Sequence, residues 1–133
     1  MSITREEILK GNALTGPSAP QLENNLIDLL RRINGLRQLW GKPMIVTSGY
    51  RNAEQNKKVG GAPASKHLTC QALDIADPQG ELMQFILNNT DILRLSGLWI
   101  ESPFDTVGWV HFQSVAPASG FRIFRAGRLK LLS

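Results

Sequence analysis

The chain has 133 residues, a formal net charge of +4, 42% hydrophobic and 20% charged residues. That is the composition of one soluble globular domain whose core covers roughly two thirds of its unfolded surface, which excludes a disordered chain. No run approaches the ~18 apolar residues of a membrane span. A single cysteine excludes an internal disulfide, and the opening MSITREEILK has no apolar stretch of the secretory kind, so synthesis as a cytoplasmic protein is expected. The modest basic excess is a common solubility feature and does not call for a nucleic acid partner; the expected state is a monomer.

Thr4 before Arg5-Glu6-Glu7 reads as an N-cap with acids in the first turn, giving a short helix that ends near Gly11. After the loop TGPSAP, Leu22, Leu26, Leu29, Leu30, Ile33, Leu36 and Leu39 recur at three and four, which predicts an amphipathic helix over Gln21 to Trp40. Pro43 to Ser48 predicts a strand that runs into SGYR, followed by a short helix from Asn52 to Lys58 and a loop at Gly60 to Pro63. Ala72 to Ala76 is a second strand and Glu81 to Asn88 a helix, with strands again at Gly97 to Glu101 and Gly108 to Gln113. The tail RIFRAGRLKLL predicts a hairpin turning at Ala126-Gly127. Helices first and antiparallel-type strands later make an α+β class.

His67 and Asp74 lie in SKHLTCQALD. Seven extended residues span about 23 Å, so these side chains meet only if Leu68 to Gln71 form a turn. Asp74 then occupies an apolar strand with Leu73 and Ile75 facing the opposite way, and a carboxylate there is costly unless paired or bound to metal. His111, inside WVHFQ, raises the same question. Taken singly, each residue reads as a core histidine bonded to a carbonyl or as an aspartate at a turn. Together, two imidazoles and one carboxylate are a recognised ligand set for a catalytic zinc that keeps a position open.

SGYRNAEQNKKVGGAPASKHLTCQALDI followed by GWVHFQ resembles the zinc D-Ala-D-Ala carboxypeptidase and phage L-alanyl-D-glutamate endopeptidase family, which shares its fold with the Hedgehog signalling domain. Ser48-Gly49-Tyr50-Arg51, then Ser65, His67, Ala72 and Asp74, then Trp109 and His111 match its motifs in order and spacing. The resemblance implies a small antiparallel sheet with helices packed on one side and a zinc site on the sheet, all within a single domain over residues 1–133. It implies that His67, Asp74 and His111 hold Zn2+, that Arg51 polarises the scissile carbonyl, and that Ser65 lies near a peptidoglycan stem peptide. A phage-type lysin, released into the wall or carried by the particle, fits a chain with no signal segment.

Two positions depart from the family pattern. Cys70 stands where glycine is usual, in a turn that would strain any other residue, and its thiol is a conceivable fourth ligand as well as a small buried group. Gly108 stands where many relatives carry an acid three residues before the last histidine.

A peptidase needs a carboxylate to move the proton. Of the 11 acids, those on helix faces and Asp77 in its turn have simpler roles, which leaves Glu101 and Asp105. If the strands around Glu101 and His111 pair as a long hairpin, alternation puts Trp99, Glu101, Trp109 and His111 on one face. Glu101 is therefore the preferred base and Asp105 the alternative. Trp109 is a candidate substrate-binding residue, Trp99 is open between groove and packing, and Trp40 belongs to the core. The rival from another class is a non-catalytic binding or assembly module of the same fold, which Gly108 and Cys70 keep in play.

Overall fold

The computed structural model describes residues 2–125. Five helices, α1 (Arg5–Leu9), α2 (Ala19–Trp40), α3 (Ala53–Lys58), α4 (Glu81–Asn88) and α5 (Asp91–Ser96), combine with strands β1 (Val46–Ser48), β2 (Ala72–Ala76), β3 (Trp99–Glu101), β4 (Trp109–Gln113) and β5 (Ile123–Phe124). A one-turn 3-10 segment, Lys66–Thr69, precedes β2. The strand order is β1-β2-β4-β3-β5.

Local sequence explains the starts of these helices. Thr4 and Glu7 form a reciprocal capping box on α1, as Asn52 and Gln55 do on α3. Asp77 stays buried because its carboxylate accepts the Leu82 and Met83 backbone N–H groups, both at 2.9 Å, at the start of α4. That capping satisfies orphan donors and places negative charge at the positive end of the helix, so Asp77 is spent on structure.

One hydrophobic core joins the helices to the inner face of the sheet. Leu26, Leu29, Ile33 and Leu36 of α2 are fully buried, as are Leu73 of β2, Ile100 of β3 and Val110 and Phe112 of β4. Each fully buried aliphatic side chain contributes on the order of 1.5–3 kcal/mol, so this face fixes the register of the strands. Alternation then leaves Asp74, His111 and Glu101 no place but the opposite face.

Three expectations need correction. The sheet is mixed, because β5 runs parallel to β3 with Ile100 opposite Ile123 and Glu101 opposite Phe124. Ile123 and Phe124 thus form the edge strand of the sheet, beside β3; the turn proposed at Ala126-Gly127 lies outside the described residues. A helix, α5, occupies the segment between the expected helix at Glu81 to Asn88 and the strand at Gly97 to Glu101, and Leu39, placed by periodicity on the apolar face, is 51% exposed at the end of α2. In that last turn Trp40, rather than Leu39, is the side chain that packs against the core.

Gly49 shows why SGYR carries a glycine. The Tyr50 N–H donates to the Ile8 carbonyl of α1 at 2.8 Å, and a Cβ on Gly49 would overlap that same carbonyl oxygen. Gly49→Ala is expected to cost about 3 kcal/mol through overpacking and to lower Tm by roughly 10 °C. Thermal unfolding of the metal-free protein checks this, and an unchanged Tm contradicts it.

Candidate metal centre

The three strands at the middle of the sheet bring the chemistry into one row. Asp74 of β2 is the register partner of His111 on β4, and Ser48 of β1 is the partner of Asp74. The β3–β4 ladder pairs Trp99 with Gln113 and Ile100 with Phe112, so one further step puts Glu101 beside His111. Phe124 of β5 continues the row past Glu101 and meets the His111 ring edge-on at 6.2 Å.

His67 enters from outside the sheet. Ser65 caps the 3-10 segment by accepting the His67 N–H at 3.2 Å, and Cys70 ends it in the left-handed region at φ 58°. This reversal turns an extended span of about 23 Å into contact. The His67 Nε2 lies 3.4 Å from Asp74 Oδ1, and His111 Nδ1 lies 2.9 Å from the same oxygen.

The other nitrogen of each ring is occupied. His67 Nδ1 is 2.7 Å from the Gly49 carbonyl oxygen, which accepts its proton, so Nε2 is left to face Asp74. His111 Nε2 is 3.0 Å from Gln113 Oε1. Gln113 was not singled out from sequence; only its place two residues after His111 on the same strand face could have drawn notice.

Electrostatics follow from this crowding. Burial opposes ionisation of Asp74, but hydrogen bonds from His111 and His67 outweigh it and hold the carboxyl well below the usual carboxylate range. For His111 burial opposes the charged form, yet the bond to Asp74 and its charge, with smaller help from Gln113 and Glu101, raises the pKa above the usual imidazole value.

The ligand atoms of His67, Asp74 and His111 lie within 4.8 Å of one another. One carboxylate oxygen and two imidazole nitrogens, each imidazole anchored through its far nitrogen, fit zinc in both donor chemistry and convergence.

A cavity of about 670 Å³ opens over the three, and Arg51, Ser65, Glu101 and Trp109 also line it. Arg51 Nη2 donates to Ser65 Oγ at 3.3 Å, while Arg51 Nε is buried with no partner among the described residues. No ion pair joins Arg51 to Glu54 among the described residues, although they are neighbours on the chain. Trp109 is 37% exposed at the cavity edge. Trp99 instead lies beneath the Arg122 guanidinium, 4.0 Å from its ring centre, and Trp40 packs at 4.9 Å on Phe85 against the core.

Asp105 is placed differently from Glu101. Its side chain is only 2% exposed, it lies 3.4 Å from Arg125 Nε, and it is not among the residues lining the cavity. Gly108 sits at φ 94°, a conformation that disfavours a side chain, which accounts for the missing acid before His111.

Cys70 keeps its thiol out of the cluster, fully buried among core residues. Burial, with the Glu23 charge behind it, pushes the thiol up to about 12. The folded protein is therefore expected to resist alkylation at pH 8 while the unfolded chain reacts; rapid labelling of the native state, read by mass spectrometry, would contradict this.

Residues 2–98 match the family model described as Peptidase M15. The matched span includes Arg51, Ser65, His67 and Asp74 and stops short of Glu101, Trp109 and His111, which the sheet brings to the same cavity. A search of curated proteins gave no match. With most of its length covered by that model, and a His-Asp-His cluster compatible with a metal, the chain belongs to the peptidase M15 family of zinc metallopeptidases.

Proposed function

We propose that the protein is a zinc-dependent peptidase that hydrolyses a peptide bond in the stem of bacterial peptidoglycan, of the D,D-carboxypeptidase or L-alanyl-D-glutamate endopeptidase type. Family membership supports the reaction class and the wall peptide as substrate. The carrying observation is the convergence of His67, Asp74 and His111 in one cavity with Arg51 and Glu101.

His67 through Nε2, Asp74 through its carboxylate and His111 through Nδ1 would hold the ion. The chemistry such an ion supplies is Lewis acidity, which lowers the pKa of water to about 7 and polarises a carbonyl. Arg51, steadied by Ser65, presents charged donors to the carbonyl oxygen as it becomes an oxyanion. Glu101 takes the proton from the attacking water as the new C–O bond forms. It returns that proton to the amine nitrogen as the C–N bond breaks, so the carboxylate is regenerated. Trp109 gives the substrate a flat apolar wall at the cavity edge.

Incubation with purified peptidoglycan tests this reading. New amino groups should appear, stop on chelation and return with added zinc, and fragment masses should identify the bond. Folded, zinc-loaded protein that releases nothing would point to the non-catalytic module instead.

A further inference from the structure

Gln113 is buried, 5% exposed, at the inner end of β4. A glutamine in that setting must satisfy both ends of its amide. Its Nε2 donates to the Val115 carbonyl at 2.9 Å, which fixes the amide so that Oε1 faces His111 Nε2 at 3.0 Å. Turning the amide over would set two oxygens against each other at Val115 and an NH2 against the imidazole proton. Oε1 can only accept, so the imidazole nitrogen it meets must carry a proton.

We propose that Gln113 is a positioning residue of the metal centre, selecting the His111 tautomer protonated on Nε2 and thereby freeing Nδ1 to bind the ion. This rests on the metal-centre reading above. Without the acceptor, a neutral His111 would do better with its proton on Nδ1, donated to Asp74 Oδ1 at 2.9 Å. That tautomer cannot ligate through Nδ1. Gln113 therefore works against a competing hydrogen bond built into the same site. On His67 the Gly49 carbonyl has the same task in mirror image, holding the proton on Nδ1 and freeing Nε2. The two imidazoles thus present opposite nitrogens to one point.

Zinc affinity, measured by competition with a chromogenic chelator, reads the effect directly. Gln113→Met keeps the length and apolar packing but removes the acceptor; a loss of about 10- to 100-fold in affinity is expected. Gln113→Glu restores an acceptor and should recover most of that loss, which a packing role would not require. Equal affinity of wild type and Gln113→Met would overturn the proposal, whereas wild type that binds no zinc would overturn the metal centre itself. A second readout needs no variant. Long-range 1H–15N spectra of the zinc-loaded wild type should show His111 protonated on Nε2 and His67 on Nδ1, and a His111 proton on Nδ1 would overturn the proposal whatever the variants do.

Discussion

Asp74→Ala is expected to empty the protein of zinc and to lower kcat/KM by about 10³-fold, the equivalent of roughly 4 kcal/mol. Asp74 is the hinge of the cluster, since its Oδ1 is the one atom that both His67 and His111 approach. Removing it takes away the anionic ligand of the three and leaves two imidazoles held only through their far nitrogens, by the Gly49 carbonyl and Gln113. Zinc content by elemental analysis, alongside peptide hydrolysis, checks the expectation; full zinc occupancy in the variant contradicts it.

The metal-free protein gives the same interaction a pH signature. The folded pKa of Asp74 is depressed, so its contribution is complete above the unfolded value near 3.8 and is lost as pH falls through the lower folded one. The folded pKa of His111 is raised, so its contribution is complete below the unfolded value of 6.5 and is lost as pH rises through the higher folded one. Metal-free wild type should therefore exceed Asp74→Asn in stability most clearly at about pH 5 to 6, and the two should converge in acid. Denaturant titrations across that range decide it, and a gap independent of pH contradicts the ion pair.

Glu101→Gln is expected to reduce kcat by 10²- to 10⁴-fold, on the order of what general acid–base catalysis contributes, while zinc content stays at the wild-type level. Glutamine keeps the shape of the side chain and loses only the ability to accept a proton. Glu101 follows Ile100, whose partner is Phe112, so it stands next to His111 and lines the cavity. Asp105, buried against Arg125, sits outside that lining, and Asp105→Asn should leave kcat within a few-fold of wild type. The reverse pattern, with Asp105→Asn inactive and Glu101→Gln active, would move the base to the loop.

Much of this site could be read from the sequence because its cues are local. Asp74 is conspicuous in an apolar strand of alternating burial, and β2 and α4 have the limits that their alternation and periodicity set. Glu101 became legible once a hairpin was assumed, since alternation alone then decides which face it takes.

What escaped leaves no periodic or motif signal in the sequence. In α5 six residues bury only Ile92 and Leu93, too short a span for a helical period to emerge. The pairing of β5 with β3 is parallel and non-consecutive, and no turn motif announces it. Gln113 looks like any polar strand residue until its carbonyl is found against the back of His111. Cys70 was visible as a departure, but only the fold shows that the core holds its thiol and that the left-handed backbone is retained without glycine.

X-ray absorption at the zinc edge tests most directly whether His67, Asp74 and His111 form an open, catalytic zinc centre. The expected spectrum has only nitrogen and oxygen neighbours at about 2.0–2.2 Å, including two imidazoles, with a solvent oxygen filling the remaining position. A sulfur shell at about 2.3 Å would mean that Cys70 closes the site, and would contradict the account of this chain as a peptidase.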